Sequence, residues 1–420
     1  MSFPASAALS TPWLPGRTML RYGVSVAGPV AVSGAHFLAS LIFLDSLPAD
    51  HFGLFSFVMV AVSFMMSANG ALTGMPLTLV GAGREVRSAC FVANGPLCLA
   101  VAALLLAALC YNGASFSTAA ALSLYGAVFT FRWFARCFAY VEGNIARALG
   151  SDVLYGAVLV AGLGALKLSG HFSFAHGAET LLAASLIALM PYGRDFFGQM
   201  MAALRRRAFV DYAQLFRQHT RWSLMGVALT EVTANAHAYL VTFISGPGAF
   251  ALLALGALLM RPAALAQTAL PDLERPAMAR AIARGDARAL RHISRAFTGG
   301  LSAAWFGNVL LCAGLLAFAP DILPQKDYAL GQVALVAAIA AVIMAARAFR
   351  TAPAVLLQAA GEFKALARVS MESAILSVGA TLALLLLWGP VASLGGILLG
   401  DLVILGRTRY LARRWHAAHV

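Results

Sequence analysis

The chain has 420 residues, of which 61% are hydrophobic and only 11% carry a charge. Soluble globular domains carry about 25% charged residues, so this composition excludes an ordinary soluble protein and predicts an integral membrane protein. A formal net charge of +13 would also suit a nucleic-acid-binding protein. The basic residues punctuate apolar runs, however, instead of clustering with aromatic side chains on a polar module. We therefore expect no nucleic-acid partner.

Twelve apolar segments follow one another along the chain. They lie at roughly 22–44, 52–80, 89–111, 117–138, 152–168, 177–193, 222–244, 249–270, 297–319, 329–347, 368–389 and 394–406. A helix needs about 20 residues to cross a bilayer, and the fifth, sixth and twelfth segments are shorter than that. We expect these three helices to extend into their polar flanks.

The distribution of basic residues predicts the topology. If the chain starts inside, all but two of its 30 Lys and Arg residues fall on the cytoplasmic side, the exceptions being Lys167 and Lys326. Omitting the twelfth segment would place four arginines outside. The positive-inside rule therefore predicts a multi-pass membrane protein with twelve spans and cytoplasmic N- and C-termini.

The two halves of the chain show weak internal repetition. Phe131-Arg132 precedes Gly143 by eleven residues, and Phe349-Arg350 precedes Gly361 by the same distance. Matches of this kind favour an all-α architecture in which two pseudosymmetric six-helix bundles surround a central cavity. The expected organisation is an N-terminal bundle over 1–193, a linker over 194–221 and a C-terminal bundle over 222–420.

Two inner connections are long and basic. The linker contains Arg205-Arg206-Arg207 followed by Phe209, Tyr212 and Phe216 at helical spacing, which predicts an amphipathic helix on the anionic inner leaflet. Residues 271–295 are similarly basic, and we expect breaks at Pro271, Pro276 and Gly285-Asp286. The default interpretation of both stretches is a face that contacts solvent or anionic lipid headgroups.

The seventh segment places an acidic residue near the membrane midplane. Glu231 lies about 15 Å beyond Arg221 along a helix, and it shares one helical face with Asn235, Ala238 and Thr242. An acid at this depth costs roughly 2.5 to 3.5 kcal/mol on insertion scales, so such residues are usually retained for transport, proton relay or helix pairing. Glu231 and Asn235 are therefore candidates for ion coupling or a cavity, and a helix-to-helix hydrogen bond is the alternative.

The eighth segment forces an arginine into the membrane. Residues 249–260 are too few to cross, so we expect the helix to continue through Arg261-Pro262 to about Leu270. A guanidinium at that depth needs an anion, a carbonyl group or water, and the proline frees a backbone carbonyl in the previous turn. Arg261 is thus a candidate ligand-binding residue.

Two pairs of arginines share helical faces at the cytoplasmic ends of spans four and ten. Arg132 and Arg136 are four residues apart, and Arg347 and Arg350 are three apart. Guanidinium groups bind phosphate in bidentate geometry, so these side chains predict a positive inner vestibule for an anionic substrate. The alternative is that several of them anchor the topology by reaching the inner headgroups.

Other polar residues within the spans are less specific. Asp401 is a candidate partner for an arginine or a coupling residue, with a structural role as the alternative. For His36, Asn69 and Asn308 we expect interhelical hydrogen bonds. Three acidic residues lie near predicted helix starts, namely Asp152, Glu179 and Glu372. For these we expect capping or interfacial roles.

No motif of soluble-type catalysis is present in the sequence. A Walker loop, His-Glu-x-x-His, paired Cys-x-x-Cys and a nucleophile elbow are all missing, and the five cysteines have no metal-ligand spacing. We therefore expect no enzyme activity, no cofactor and no bound metal. Any driving force would come from an ion gradient, the membrane potential or the substrate gradient.

Three stretches carry a resemblance to a known family. After Arg21 and the first span come "LPADHFGLFSFVMVAVSF", then "GPGAFALLALGALLMRPAALAQTALPDL" through the eighth span, then "ARGDARAL" in the loop that follows. These patterns resemble Wzx-type polysaccharide flippases of the multidrug/oligosaccharidyl-lipid/polysaccharide (MOP) exporter superfamily. The resemblance covers nearly the whole chain. It implies a location in the bacterial inner (cytoplasmic) membrane, alternating access, and movement of an undecaprenyl-diphosphate-linked oligosaccharide to the outer leaflet for exopolysaccharide or O-antigen synthesis.

The resemblance also implies roles for individual residues. Arginines that contact the diphosphate or sugar would be Arg21, Arg132, Arg261 and Arg350, and Glu231 would couple proton or sodium movement. Expected partners are the lipid-linked glycan, anionic inner-leaflet lipids and other proteins of polysaccharide assembly. Two alternatives stay open: a cation-coupled drug or metabolite antiporter of the same superfamily, and a polymerase or ligase of glycan assembly. The short outer loops disfavour the enzyme.

Overall fold

The computed structural model describes residues 15–79, 83–206, 209–319 and 328–419. The side chains of a few residues inside these ranges, Arg21 among them, lie outside the described part, and so does the whole of Lys326. Every regular element in the described ranges is a helix. The predicted all-α membrane architecture is confirmed.

The N-terminal half consists of helices joined by short turns. Its elements are α1 (Pro15–Ser46), α2 (Ala49–Asn69), a π-helical turn (Gly70–Gly74), α3 (Met75–Leu79), α4 (Arg84–Tyr111), α5 (Phe116–Val141), α6 (Ile145–Leu168), α7 (Phe174–Ile187) and a 3₁₀ turn (Met190–Tyr192).

The remaining elements form the linker and the C-terminal half. They are α8 (Gly193–Arg206), α9 (Phe209–Leu215), a π-helical turn (Phe216–Thr220), α10 (Arg221–Ile244), α11 (Pro247–Leu259), α12 (Arg261–Ala283), α13 (Ala287–Phe318), α14 (Leu330–Ala359), α15 (Phe363–Trp388) and α16 (Leu394–His419).

Each of the twelve predicted apolar segments falls on helix within the described residues. By length and composition alone, eight helices qualify as membrane spans, and the bent pair of α11 with the start of α12 makes a ninth. The helices α5, α10 and α16 complete the twelve, and they carry the interior charges Arg132, Glu231 and Asp401. The fifth and twelfth spans extend into polar flanks as expected, because α6 starts at Ile145 and α16 continues to His419.

The repeated glycines end equivalent helices. Gly143 follows α5 with φ +74°, and Gly361 follows α14 with φ +80°. This left-handed backbone conformation is accessible to glycine at little steric cost and is the common way to end an α-helix. The sequence repeat around Arg132 and Arg350 thus marks the same structural device in each half.

The predicted breaks in the basic connection after the eighth span are partly wrong. Helix α12 continues through Pro271 and Pro276, and it ends only before Gly285, which has φ +64°. Asp286 then caps α13, because its Oδ1 accepts a hydrogen bond from the Ala289 amide at 2.9 Å. The Gly285-Asp286 break is confirmed, whereas the two prolines are accommodated within a helix.

The linker lies against the N-terminal half. Helices α8 and α9 both contact α4, and the Tyr212 hydroxyl donates a hydrogen bond to the Leu72 carbonyl at 3.0 Å. The predicted helix over Phe209 and Tyr212 is present as α9, while Phe216 lies in the π-helical turn. Contact of this linker with lipid headgroups stays a prediction.

The two halves meet at one end of the molecule, which carries the short connections 47–48, 112–115 and 245–246. We call it the short-loop end. The opposite end carries the linker and the C-terminus, and we call it the linker end. Gly53 of α2 lies so close to the Pro247 carbonyl that a Cβ would clash with it, and Gly248 lies equally close to Asp50. Phe57 also makes edge contacts with two rings of α10, at centroid distances of 6.0 and 5.7 Å. These contacts close the short-loop end.

Candidate functional site

A cavity of about 240 Å³ lies between the two halves. Its walls come from α1 and α2 on one side and from α10, α11, α12, α14 and α16 on the other. Most of the lining is apolar. The polar and charged side chains are few, namely Ser40, Ser56, Asn235, His237, Arg261 and Arg347. We call this space the central cavity.

A break in the eighth span places Arg261 in the wall. The predicted continuous helix is wrong: α11 ends at Leu259, α12 begins at Arg261, and the two axes differ by 61°. Pro262 explains the break, because it lacks an amide hydrogen and its ring opposes the carbonyl one turn earlier. The residue at the break therefore projects toward the neighbouring half.

The carbonyl exposed by the break is bound by side chains from α13. Asn308 Nδ2 donates a hydrogen bond to the Leu259 carbonyl at 3.1 Å, and Cys312 Sγ lies 3.3 Å from the same oxygen. A buried carbonyl without a partner would cost roughly 1 to 3 kcal/mol, so these bonds stabilise the bend. The expected interhelical role of Asn308 is confirmed.

Arg261 has no ion-pair or hydrogen-bond partner in the described part of the chain. The four salt bridges of the other interior arginines in the described residues go to Asp152 or Asp401, and neither carboxylate contacts Arg261. Removing a guanidinium from water without a partner is expensive. Arg261 therefore offers its charge and its five donors to whatever occupies the central cavity.

Arg347 reaches the same cavity but is held by an aspartate. Its Nε donates to Asp401 Oδ2 at 2.8 Å, and its Nη2 donates to the Ala234 carbonyl at 3.3 Å. Arg350, one turn further along α14, places Nη1 3.3 Å from Asp401 Oδ1. The expected pairing of Asp401 with an arginine is confirmed. We call these three residues the C-half cluster.

The N-terminal half contains a matching group, here called the N-half cluster. Arg132 Nη1 and Arg136 Nε donate to the two oxygens of Asp152 at 2.8 and 2.9 Å. Arg132 is also enclosed by the rings of Phe129 and Tyr155, each with its centroid 4.6 Å from the guanidinium carbon. The predicted capping role of Asp152 is wrong: it is completely buried, because the helix start extends back to Ile145 and carries it into the bundle.

In each cluster two arginines share a single aspartate. The arginines lie one turn apart on one helix, and the aspartate comes from another, α6 in the N-terminal half and α16 in the C-terminal half. A buried ion pair is tolerated when its hydrogen bonds are made, but here each cluster retains one excess positive charge. Together with Arg261, the clusters give the described interior of the protein a positive potential.

Glu231 is bound within its own helix. Asn235 Nδ2 donates to Glu231 Oε2 at 3.0 Å, and the Tyr239 hydroxyl donates to Glu231 Oε1 at 2.7 Å. Asn235 lines the central cavity, whereas Glu231 lies one turn outside its lining. The acid is therefore one side chain removed from the cavity.

His36 belongs to a buried polar group in the N-terminal half. Its Nε2 lies 2.7 Å from the Tyr155 hydroxyl, and the Tyr125 hydroxyl lies 3.3 Å from that of Tyr155. The expected interhelical hydrogen bond of His36 is confirmed, as is that of Asn69, whose Nδ2 donates to the Thr130 carbonyl at 2.7 Å.

The structure separates the predicted substrate-binding arginines. Arg261 lines the central cavity, Arg350 lines a different cavity inside the C-terminal half, and Arg132 is fully buried in the N-half cluster without lining the central cavity. Arg21 lies on α1, but its side chain is outside the described residues.

Sequence reasoning missed two features of the site. It did not find Asp152 as the partner of Arg132 or the Tyr239 bond to Glu231. The spacing of Glu231 and Tyr239, eight residues apart and hence about two helical turns, was a signal available in the sequence.

The lining of the central cavity determines what it can bind. Two guanidinium groups project from an otherwise largely apolar wall, and the described lining contains no carboxylate. Low local polarity strengthens the attraction between a guanidinium and an oxyanion, and a fork of donors can hold such an anion bidentately. This geometry suits an anionic group.

Comparison with known proteins reveals the fold. No protein-family model and no curated protein sequence matches the chain. Solved structures do match over nearly its whole length. An inward-facing multidrug resistance MATE family transporter of the MOP superfamily has a TM-score of 0.64 at 14% identity, covering 94% of this chain and 98% of that one. The chain has the fold of a MOP superfamily transporter.

Two further structures support the same fold. An outward-facing MATE family transporter of the MOP superfamily has a TM-score of 0.61 at 13% identity, covering 96% of each chain. A MOP superfamily transporter from Pyrococcus furiosus, described as having a binding pocket of reversed polarity that suggests a different function, has a TM-score of 0.59 at 14% identity over 96% of each chain. At such identities the likeness shows the fold alone.

Proposed function

We propose that this protein is a flippase that moves an undecaprenyl-diphosphate-linked oligosaccharide from the cytoplasmic to the periplasmic leaflet by alternating access. The observation that carries this proposal is the polarity of the central cavity. Arg261 and Arg347 line it, and no acidic side chain does so among its described residues. A diphosphate is the anionic group that this arrangement would recognise.

The charge count of the interior supports an anionic cargo. Each cluster keeps one positive charge in excess of its aspartate, and Arg261 adds another beside the cavity. A diphosphate that enters the cavity would offset this excess. The substrate-loaded protein would therefore have less uncompensated charge in its interior than the empty protein. That difference favours the conformational change only when substrate is bound.

The cavity volume indicates which part of the substrate it holds. About 240 Å³ is less than the roughly 300 to 1,000 Å³ typical of sites for drug-sized ligands. In this proposal the cavity holds the diphosphate, while the glycan and the polyprenyl chain remain outside it. The apolar lining around the two arginines excludes water from the bound headgroup.

The conformation supports loading from the cytoplasmic leaflet. The two halves touch at the short-loop end, through Gly53 with Pro247 and through Gly248 with Asp50. In the topology predicted from the basic residues, that end faces the periplasm. Substrate would therefore enter from the linker end, and opening of the short-loop contacts would release it outside.

The drug antiporter is a weaker candidate for this cavity. A cationic compound would meet two guanidinium groups and no described carboxylate in the lining. Like charges brought together in a poorly hydrated space repel strongly. Glu231, the nearest acid on α10, already accepts two hydrogen bonds and lies outside the lining, so we assign it to ion coupling rather than to cargo binding.

The experiment that tests the proposal is depletion of the protein in its native cell. An impermeant sugar-modifying reagent then measures which leaflet holds the polyprenyl-diphosphate-linked glycan. We expect the glycan to accumulate on the cytoplasmic face. Complete glycan units that reach the periplasmic face but stay unpolymerised would favour a glycan-assembly enzyme instead, and an unchanged lipid-linked pool would overturn the flippase in favour of the antiporter.

A further inference from the structure

A second cavity lies inside the C-terminal half. It has a volume of about 260 Å³, and its lining comes from α10, α12, α14, α15 and α16. Its lining is more polar than that of the central cavity. Hydroxyl, amide and guanidinium groups face it, among them Thr230, Arg275, Arg350, Gln358, Ser370 and Thr408. We call it the C-half cavity.

The charged groups of this cavity are positive. Arg275 and Arg350 line it, and none of its described lining residues is acidic. Arg275 Nε donates a hydrogen bond to Gln358 Oε1 at 2.9 Å. Arginine, threonine and serine together supply charge and short donors, the combination that proteins use to hold oxyanions.

Arg350 is held only loosely by its aspartate. Its Nη1 lies 3.3 Å from Asp401 Oδ1, and that oxygen accepts no hydrogen bond. The other oxygen of Asp401 accepts the close bond from Arg347 at 2.8 Å. Arg350 therefore keeps its hydrogen-bonding capacity for a ligand in the C-half cavity.

Asp401 connects the two cavities. Arg347 lines the central cavity, Arg350 lines the C-half cavity, and both touch the same carboxylate. An anion in the C-half cavity that draws Arg350 away from Asp401 leaves this carboxylate paired with Arg347 alone. The charge of Arg347 is then more fully compensated, so Arg347 attracts an anion in the central cavity less strongly. Linkage requires the reverse effect to be equal in size.

We propose that the C-half cavity is a second anion site, which binds a small phosphate-type oxyanion and opposes anion binding in the central cavity through Asp401. Its volume is below the usual range for drug-sized ligands and suits a compact ion. The proposal concerns a site separate from the transport cavity. It stands whatever anion the central cavity carries.

Titration calorimetry with inorganic pyrophosphate on the purified, detergent-solubilised protein tests the proposal. We expect two binding events in the wild type. Arg261→Gln should remove only the central event. Two variants should each weaken pyrophosphate binding in the C-half cavity by about tenfold or more. Arg350→Gln removes the charge, and Ala354→Leu fills the cavity from its wall.

A matched control lies on the same helix as Arg275. Arg280 is exposed and does not line the C-half cavity, so Arg280→Gln should leave both events unchanged. Equal isotherms for the wild type, Arg350→Gln and Ala354→Leu would overturn the proposal, as would loss of every event in Arg261→Gln.

The negative linkage has its own readout. In Ala354→Leu, the central binding event should become several-fold tighter, because no anion in the C-half cavity then draws Arg350 away from Asp401. Native mass spectrometry distinguishes a free anion from a lipid headgroup as the natural ligand. Phosphatidylglycerol that is retained by the wild type and lost from both variants identifies the lipid, and displacement by pyrophosphate alone identifies the free anion. A central affinity that is unchanged or lower in Ala354→Leu would contradict the linkage.

Discussion

Arg347 and Asp401 join three helices at the wall of the central cavity. Arg347 on α14 donates to Asp401 on α16 at 2.8 Å and also to the Ala234 carbonyl on α10 at 3.3 Å. The aspartate is fully buried, whereas part of the arginine faces the cavity. A single charged side chain therefore contributes both to the packing of the C-terminal half and to the polarity of the binding space.

We predict that Arg261→Gln abolishes transport and leaves the fold intact. The guanidinium has no partner in the described chain, so its removal leaves no buried group unsatisfied, while the substrate loses a charge-assisted bond worth roughly 1.5 to 3 kcal/mol. Transport should fall by about tenfold or more. The leaflet assay measures the loss, and thermal unfolding in detergent checks stability. Arg280→Gln is the control, and full transport by Arg261→Gln would refute the assigned role.

The N-half cluster should be critical for stability. Asp152→Asn removes the carboxylate that Arg132 and Arg136 share, and two buried guanidinium groups are left without a counter-charge. Breaking a buried pair in this way typically costs about 3 to 5 kcal/mol. Asp195 provides the comparison, since it is exposed and lies 3.9 Å from Arg147. Asp195→Asn should change the unfolding free energy by less than about 0.5 kcal/mol, and equal melting temperatures for the two variants would contradict this account.

Glu231→Gln tests ion coupling. Glutamine preserves the shape of the side chain but cannot release a proton, so we expect transport in reconstituted vesicles to become independent of an imposed proton or sodium gradient. Tyr239→Phe keeps the carboxylate and removes one of its two hydrogen bonds, and this variant should retain the gradient dependence. If Glu231→Gln still responds to the gradient, Glu231 has only the structural role of joining Asn235 and Tyr239.

The contacts at the short-loop end should open during transport. A Cβ at Gly248 would lie 3.3 Å from Asp50 Cγ, which is about where the sulfur of a cysteine at position 50 would lie, so the sulfurs of two cysteines at these positions come within reach of each other. The pair Asp50→Cys and Gly248→Cys should therefore cross-link under mild oxidation and block transport until a reductant is added. Each single cysteine variant, oxidised in the same way, controls for the five native cysteines. Full activity of the cross-linked protein would show that the short-loop end need not open.

The bend in the eighth span should depend on its two donors together. Asn308 and Cys312 both bind the Leu259 carbonyl, so either donor can satisfy it when the other is absent. Asn308→Ala and Cys312→Ala should each destabilise the protein modestly. The double variant should lose about 1 kcal/mol or more beyond the sum of the single effects, because the carbonyl is then unsatisfied. Strictly additive losses of unfolding free energy would contradict this sharing.

The sequence alone was sufficient for the architecture because membrane constraints act locally. Apolar runs predicted a helix for every span, although three of the runs were shorter than a bilayer crossing, and the composition predicted an all-helical chain. Span length also predicted that Arg261 lies within the membrane, and Pro262 indicated a disturbed turn beside it. The paired arginines on spans four and ten were visible from their spacing, which places them on one helical face.

Only the tertiary structure decided which of these charges face a ligand. Helical spacing places Arg132 and Arg350 at equivalent positions of the repeat, yet Arg132 is sealed between two aromatic rings and Asp152, whereas Arg350 borders a cavity. That difference depends on which neighbouring helix supplies the aspartate, a contact between residues 20 apart in one half and 51 apart in the other. The periodicity of a single helix carries no information on such contacts, because it defines a face without defining what packs against it.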